Sequence, residues 1–245
     1  MSEKRLAVVT GAARGIGRAI VLELLREGRA VAGLDINQEQ LDELKEVVQK
    51  EGFEVEARLC DITNLDELTK TLDELSEAYG GVGILVNNAG VTRDKLMMQM
   101  EEQDYDIPLN VNLKAAFMAT KTVLRAMVKN KFGRVVNISS VAGVMGQAGS
   151  ANYAASKSGL IGMSKSLARE VGKKNVTVNC IAPGFIETDM TSVLPDSVKN
   201  AAKAVIPMRK YGRPEDVAKA VAFLSRDESS YITGQVLCVD GGMAM

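Results

Sequence analysis

Histidine is absent from this chain of 245 residues, and its absence removes several kinds of chemistry at once. Without an imidazole the chain can form neither a Ser-His-Asp or Cys-His arrangement nor a histidine-ligated metal site. We therefore expect no metal site. If the protein is an enzyme, Tyr, Lys, Asp, Glu or a cofactor must supply its acid and its base.

Cysteine and aromatic residues are also scarce. Aromatic residues make up 4% of the chain and Trp is absent, so aliphatic residues and Met must fill the core. The three cysteines, Cys60, Cys180 and Cys238, are far apart in sequence and form no C-x-x-C pair. This pattern favours free buried thiols in a reducing compartment, and we expect a cytoplasmic protein.

The chain has no excess of either charge and no long apolar run. Its 30 Lys and Arg residues balance 31 Asp and Glu residues, which gives a formal net charge of -1. This balance provides no basic field for nucleic acid or for an anionic membrane. No segment approaches the ~18 apolar residues of a membrane span, and the first apolar run is too short for a secretory signal. We expect neither a nucleic-acid nor a membrane partner.

What the chain does contain is an alternation of short apolar strands and longer helical patterns. The predicted strands are 6–10, 30–35, 54–60, 84–90, 134–140, 176–184 and 236–242. This alternation predicts an α/β fold in which helices cover both faces of a parallel sheet. No Pro/Ser-rich linker divides the chain, so we expect one domain over 1–245. The longest irregular piece, 184–198, has the character of a functional lid.

A glycine-rich loop joins the first predicted strand to the first helix, in the segment TGAARGIGRAI. Glycines at this turn let backbone N–H groups and the helix N-terminus approach a pyrophosphate. The spacing is G-x-x-x-G-x-G rather than the common G-x-G-x-x-G, and a plain turn is the alternative. The predicted phosphate loop consists of Gly11, Ala12, Ala13, Arg14, Gly15, Ile16 and Gly17.

Asp35 ends the second predicted strand and is followed by Ile36. A carboxylate at this position can accept hydrogen bonds from the ribose hydroxyls of an adenosine. The alternative is that Asp35 caps the next helix, although Asn37 could do that itself.

Polar residues also follow the third, fourth and fifth strands. Asp61 and Ile62, then Asn88, Ala89 and Gly90, and finally Ser139 and Ser140, lie where parallel strands point at a bound ligand. Side chains at strand ends can equally stabilise turns, so none of these residues is decisive alone.

Tyr153 and Lys157 lie four residues apart in SANYAASKSGL, so a helix places them on one face. A phenol has a reference pKa of about 10, and a neighbouring ammonium lowers it. Such a pair can do the acid–base work for which histidine is usually used. The alternative is a surface Tyr beside a solvated Lys.

Two further patterns are less specific. The small residues Ala155, Gly159, Gly162 and Ser166 share one helix face and predict a close helix–helix contact within or between subunits. The methionine-rich segment 95–100 predicts core or interface packing, or a flexible wall of a substrate mouth.

Taken in order, the glycine loop, Asp61, NNAG, Ser140, Tyr153-x-x-x-Lys157 and Pro183–Gly184 resemble the short-chain dehydrogenase/reductase family over the whole chain. The segments GVTRD, NYAASKSGLIG, APGFIETDM and YITGQ are most similar to its 3-oxoacyl-[acyl-carrier-protein] reductase branch. The resemblance implies a Rossmann-type doubly wound parallel sheet of about seven strands, assembled as a homotetramer. It also implies an acyl carrier protein, or a CoA thioester, as the carrier of the substrate.

The resemblance also implies roles for individual residues. Tyr153 is then the general acid, Lys157 binds the nicotinamide ribose and lowers the pKa of Tyr153, and Ser140 hydrogen-bonds the carbonyl. Asn112 holds a water that connects Lys157 to solvent. Pro183, Gly184, Ile186 and Thr188 lie beside the nicotinamide carboxamide. Basic residues that could dock the carrier near the entrance are Lys129, Lys131, Lys173 and Lys174.

One departure from the family pattern concerns Asn112, because Pro108 precedes it by four residues. A proline inside a helix removes a hydrogen bond, so the helix must start or bend there.

The function expected from these features is NAD(P)H-dependent reduction of a 3-oxoacyl thioester in fatty acid synthesis. Acetoacetyl-CoA reductase, a hydroxysteroid or other alcohol dehydrogenase, a dinucleotide-sensing protein and a nucleotide-sugar epimerase are the alternatives. Asp35 favours NAD(H), whereas Arg14 makes NADP(H) possible by holding a 2′-phosphate.

Overall fold

The computed structural model describes residues 5–187 and 203–245 and contains one seven-stranded sheet. All strand pairs are parallel, and the strand order is β3-β2-β1-β4-β5-β6-β7. The strands are β1 (Leu6–Thr10), β2 (Ala30–Asp35), β3 (Glu56–Leu59), β4 (Val82–Asn87), β5 (Gly133–Ile138), β6 (Val176–Pro183) and β7 (Val236–Val239). The predicted doubly wound α/β fold is confirmed.

Helices connect the strands and cover both faces of the sheet. The α-helices are α1 (Gly15–Arg26), α2 (Gln38–Lys50), α3 (Leu65–Tyr79), α4 (Glu102–Pro108), α5 (Ala115–Lys129), α6 (Val141–Met145), α7 (Ala151–Val171) and α8 (Pro214–Ser225). A π-helical segment, Leu109–Lys114, joins α4 to α5, and short 3₁₀ turns lie at Met97–Gln99, Gly172–Lys174 and Asp227–Ser229.

Two apolar clusters hold these layers together. On one face, Ile20 and Leu24 of α1, Leu44 of α2 and Val221 of α8 pack against the sheet. On the other, α3, α5 and α7 contribute the second cluster. Every residue of β1, β4, β5 and β6 is buried, as expected for strands covered on both faces.

The strand ends differ from the predicted ones by a few residues. The fourth strand was expected to include 84–90 but stops at Asn87. The reason is local: the Asn88 side-chain amide donates to the carbonyls of Thr10 and Gly11, so the chain turns toward β1 instead of continuing along the sheet. The sequence expectation for 184–198 falls largely outside the described residues.

Pro108 ends α4 and does not displace Asn112. The chain continues directly into the π-helical segment, whose wider turn accommodates a residue that cannot donate a backbone hydrogen bond. Asn112 lies in that segment and is buried.

The small-residue face of α7 is largely uncovered within one chain. Only Gly159 is closely packed, since a Cβ there would lie 2.6 Å from Cδ2 of Leu113. Ala155, Gly162 and Ser166 are exposed, and a Cβ placed on Gly162 would meet no described atom within 4 Å outside its own helix. The described residues therefore cover this face only at Gly159, where the π-helical segment contacts it.

No helix in the described ranges is long and apolar enough to cross a membrane.

Candidate active site

A cavity of about 490 Å³ opens at the carboxyl ends of the strands. It lies where the strand order reverses between β1 and β4, the position at which open parallel sheets bind ligands. Of the residues predicted from sequence, those lining it are Gly11, Arg14, Gly15, Ile16, Gly17, Asp35, Ile36, Asp61, Ile62, Asn88, Ala89, Gly90, Ser140, Tyr153, Lys157, Pro183, Gly184 and Ile186.

Three predicted residues do not line the cavity, and one lies outside the described residues. Ala12 and Ala13 belong to the glycine loop, but their side chains are buried in the core. Asn112 is buried behind the cavity wall. Thr188 is the predicted residue that lies outside the described ranges.

The glycine loop is held tightly against the end of β4. Gly11 has a φ of +63°, and a Cβ on it would lie 2.8 Å from Cα of Ala89. A Cβ on Gly17 would lie 1.9 Å from the carbonyl oxygen of Gly11. Because α1 begins at Gly15, this loop presents the N-terminus of a helix to the cavity. Backbone N–H groups in this arrangement suit a phosphate group.

Asp35 faces the glycine loop and is not the cap of α2. Its Oδ2 accepts a hydrogen bond from the backbone N–H of Ala13 at 3.0 Å, and its Oδ1 accepts from the N–H of Asn37 at 3.2 Å. Asn37 is the cap of α2, since its side chain accepts from the N–H of Gln40 at 3.0 Å. The carboxylate of Asp35 therefore stands beside the glycine loop and lines the cavity.

Asp61 closes the turn after β3. Its Oδ1 accepts from the backbone N–H of Thr63 at 2.9 Å and from the Thr63 hydroxyl at 2.7 Å. The turn therefore fixes the carboxylate of Asp61, and Asp61 is also one of the residues that line the cavity.

Ser140, Tyr153 and Lys157 meet at the inner part of the same cavity. Lys157 is buried, and its Nζ donates to the carbonyl of Ile138 at 2.7 Å. The same nitrogen lies 5.6 Å from the centroid of the Tyr153 ring. Ser140 caps α6 by accepting from the N–H of Ala142 at 3.1 Å. The end of β5 and the first turns of α7 therefore bring three predicted catalytic residues together.

The pKa values of this group differ from the sequence expectation. Burial raises the pKa of Tyr153, and the charge of Asp94 adds to this, while hydrogen bonding with Ser140 lowers it. Burial lowers the pKa of Lys157 to about 8. Removal of the phenol from water is the largest of these effects, and it acts against the lowering expected from Lys157. The role of Lys157 in lowering the pKa of Tyr153 stays a prediction.

Asn112 connects the wall of the cavity to the helix that carries Tyr153. Its Oδ1 accepts from the N–H of Val91 at 2.8 Å, and its Nδ2 donates to the Val91 carbonyl at 3.0 Å and to Ser156 Oγ at 2.9 Å. The Ser156 hydroxyl in turn donates to the carbonyl of Tyr153 at 2.7 Å.

Several lining residues were missed from the sequence. Phe185 follows Gly184 and stacks on Tyr211 with ring centroids 5.7 Å apart. Val91 and Thr92 directly follow the NNAG segment. Each of them adjoins a recognised motif, so adjacency was the available signal, but no residue type in these positions points to a ligand.

The lysines proposed to dock a carrier are not at the entrance of this cavity. Lys129 and Lys131 precede β5, and Lys173 and Lys174 precede β6, whereas the cavity is at the opposite ends of these strands. The 21 residues of α7 separate the two ends by about 30 Å. Their expected position near the entrance is wrong for the site of the same chain.

The methionine-rich segment does not pack in the core. Leu96, Met97 and Met98 are 56%, 78% and 95% exposed.

Among the residues that the structure describes, no group of acidic or cysteine side chains could hold a metal ion.

Comparisons with known proteins show that the chain belongs to the short-chain dehydrogenase/reductase family, whose members are NAD(P)H-dependent oxidoreductases. A family model described as enoyl-(acyl carrier protein) reductase matches residues 11–244. The 3-oxoacyl-[acyl-carrier-protein] reductase FabG of Thermotoga maritima is 44% identical over 99% of both chains. The enzymes of the same name from Vibrio cholerae and Escherichia coli are 45% and 44% identical over 99% of this chain and 98% of theirs. The resemblance found in the sequence is confirmed.

The contact between Gly17 and Gly11 predicts that Gly17→Ala abolishes dinucleotide binding, because the added methyl group would overlap the carbonyl oxygen of Gly11. Binding of NADH and NADPH would be measured by fluorescence titration. Gly172→Ala is the matched control, because Gly172 is exposed, has a φ of -54° and leaves open space around an added Cβ. It should retain binding. Equal binding by both variants would show that the glycine loop is not the phosphate site.

Proposed function

We propose that this protein is an NAD(P)H-dependent reductase of 3-oxoacyl thioesters, acting on an acyl carrier protein or CoA thioester in fatty acid synthesis. The observation that carries the proposal is one cavity with a phosphate-type glycine loop at one end and Ser140, Tyr153 and Lys157 at the other. The names of the similar proteins support the substrate class.

The chain fits a dinucleotide along this cavity. Gly11 and Gly17 let the loop pack against itself and against the end of β4, since a Cβ on either would meet backbone atoms. The N-terminus of α1 then faces the cavity. Asp35 stands where it would accept hydrogen bonds from the ribose hydroxyls. Lys157 and the residues after β6 then border the nicotinamide half. When bound, the reduced nicotinamide supplies the hydride that reduces the 3-carbonyl.

Tyr153 is the general acid in this proposal. Its raised pKa keeps the phenol protonated near neutral pH, so a proton is present when it is needed. An alkoxide is a much stronger base than a phenolate, so proton transfer from Tyr153 to the developing alkoxide is favourable even when the pKa of the phenol is raised. In this proposal Ser140 turns its single hydroxyl proton to the substrate's carbonyl oxygen and orients the carbonyl.

Lys157 provides a charge that responds to its surroundings. Because its pKa is about 8, the ammonium form predominates at neutral pH, and the proton is lost at moderately alkaline pH. The ammonium stabilises the phenolate that remains after proton transfer, which is the state in which Tyr153 carries charge. Asn112 holds the adjacent backbone of Val91 rather than contacting the proposed substrate.

The proposed reaction is tested with uncharged N-acetylcysteamine thioesters, one carrying a 3-oxoacyl group and one a 2-enoyl group. The second substrate is included because the matching family model carries an enoyl reductase description. We expect oxidation of the reduced cofactor with the 3-oxoacyl thioester only. Tyr153→Phe should lower kcat by about 10²–10⁴-fold, since a single general acid is worth that much.

Cofactor affinity of Tyr153→Phe should stay near that of the wild type, because only the transferable proton is lost. Tyr231→Phe is the control, as Tyr231 is fully exposed. Turnover of the enoyl thioester alone would replace the proposed reaction by double-bond reduction. A kcat retained by Tyr153→Phe would remove this residue from the chemistry.

The cofactor preference that we propose is for NADH. Both oxygens of Asp35 are fixed by backbone N–H groups beside the phosphate loop, so the carboxylate cannot easily turn away from a 2′ substituent. A 2′-phosphate there would meet a like charge. Arg14 lines the same part of the cavity and would offset part of this repulsion.

Asp35→Asn and Asp35→Ser should both shift kcat/KM toward NADPH, and Arg14→Ala should shift it toward NADH. Asp35→Asn keeps an oxygen that can accept from Ala13, so it separates the effect of charge from that of the loop contact. The measurement is kcat/KM with each cofactor. An unchanged ratio in both Asp35 variants would show that this carboxylate supports the loop and does not select the cofactor.

For the assembly we propose a homotetramer in which a second copy covers the exposed face of α7. A groove of about 940 Å³ runs between α7 and the π-helical segment with α5. Its apolar lining residues are Leu109, Leu113, Phe117, Leu124, Met163 and Leu167. Phe117 is 52% exposed in the described part of the chain, and together with its apolar neighbours it forms an uncovered patch of the kind that marks an interface.

Phe117→Asp should shift sedimentation toward smaller species, because it places a charge in the groove. Gly162→Leu should do the same, since its added side chain has room in the isolated chain and would clash only with another copy. Gly159→Leu is unsuitable, as its side chain would already meet Leu113. If both variants keep the wild-type sedimentation coefficient, the subunits do not meet at this face.

A further inference from the structure

One buried carboxylate lies outside the proposed chemistry and binds two cations of a segment that begins at the cavity wall. Asp104 of α4 is 3% exposed, yet it is an acid. Its Oδ2 lies 2.6 Å from Nζ of Lys95 and accepts from the N–H of Glu101 at 3.0 Å, while Oδ1 lies 3.6 Å from Nη1 of Arg93. A carboxylate is rarely buried without such partners, so these contacts define its position.

Both cations come from one short stretch, Val91–Met98, which we call the mouth segment. It begins at the wall of the cavity, where Val91 and Thr92 are lining residues. It ends with the exposed side chains of Leu96, Met97 and Met98.

A second buried side chain ties the mouth segment to Tyr153 itself. Asn152 is 2% exposed, and its Nδ2 donates to the carbonyl of Arg93 at 2.8 Å and also to the carbonyl of Asp104. Its Oδ1 accepts from the backbone N–H of Tyr153 at 2.8 Å. One amide group therefore joins the mouth segment, α4 and the residue proposed as the acid.

The mouth segment is also fixed from the opposite side. The N–H of Lys95 donates to the carbonyl of Gly149 at 2.8 Å, in the loop between α6 and α7. Four points thus hold a stretch that has no regular secondary structure before Met97: Asn112 at Val91, Asn152 at Arg93, and Asp104 and Gly149 at Lys95. Because four contacts hold this loop, we expect the position of the mouth segment to matter for function.

We propose that Asp104 and Asn152 are positioning residues that hold Leu96–Met98 as the apolar wall receiving the acyl chain of the substrate. The inference rests on the proposed reduction of a 3-oxoacyl thioester. Methionine suits such a wall because its flexible, polarizable side chain adapts to chains of different length. The salt bridges to Asp104 fix the backbone of the wall while leaving these side chains free.

The test measures KM and kcat with uncharged 3-oxoacyl N-acetylcysteamine thioesters of short and longer acyl chain. Asp104→Asn and Lys95→Met should each raise KM for the longer chain by about fivefold or more, with kcat changed less than about twofold. KM for the short chain should change little. Asn152→Asp keeps the oxygen that accepts from Tyr153 but loses both donated bonds, so it should raise the same KM.

The variants separate position from charge. Asp104→Asn makes the mouth more positive and Lys95→Met makes it more negative, so a purely electrostatic effect would shift KM in opposite directions. Lys95→Arg retains the ion pair and should restore KM relative to Lys95→Met. Glu102→Gln is the matched control, because it makes the same chemical change on an exposed residue of the same helix.

Hydrogen–deuterium exchange provides a readout that does not depend on turnover. Peptides that contain the mouth segment should exchange faster in Asp104→Asn than in Glu102→Gln. Unchanged exchange and unchanged KM, opposite KM shifts, or a parallel loss of kcat and thermal stability would each overturn the positioning role. If the wild type reduces neither thioester, the proposed function fails, and the exchange data alone then decide whether Asp104 holds the segment.

Discussion

The burial of Lys157 is the constraint on which the rest of this site depends. Its ammonium is removed from water and held at the end of β5 by the carbonyl of Ile138. Two glycines make room for it: a Cβ on Gly143 would lie 2.8 Å from Cβ of Lys157, and one on Gly90 would lie 3.2 Å from its Nζ. The space that Lys157 occupies therefore explains why Gly90 of NNAG and Gly143 of α6 are glycines.

The same burial sets the electrostatics. A lysine with a pKa of about 8 and a phenol with a raised pKa are both disfavoured as isolated charges, so each is stabilised when the other becomes charged. The sequence spacing correctly predicted that the two side chains lie at the same cavity. It could not show that desolvation dominates in this structure, because burial of α7 depends on its packing against β5 and β6.

The residues that sequence could identify are those fixed by strand ends and by local spacing. The glycine loop, Asp35, Asp61 and Ser140 each follow a recognisable strand, and Tyr153 and Lys157 follow from helical periodicity. The fold was predictable for the same reason, since seven apolar strands alternate with helical patterns.

Features that depend on tertiary contacts were not predictable. The segment 54–60 was expected to be a strand, but only Glu56–Leu59 pairs with β2, because β3 lies at the edge of the sheet. The acidic and amide residues Asp104 and Asn152 have no motif of their own, and their partners are distant in sequence. The positions of Lys131 and Lys174 could not be predicted from the sequence, because they depend on the direction in which α7 leads away from the cavity.

The π-helical segment between α4 and α5 serves two surfaces at once. Within it, Asn112 holds the mouth segment at Val91, while its neighbour Leu113 packs against Gly159 and lines the groove that we propose for assembly. A regular α-helix continued through Pro108 would space these side chains differently, since π-helical turns contain more residues than α-helical ones. Pro108 therefore directly precedes the π-helical turn. Because of this turn, Asn112 contacts the cavity wall while the next residue, Leu113, lines the groove.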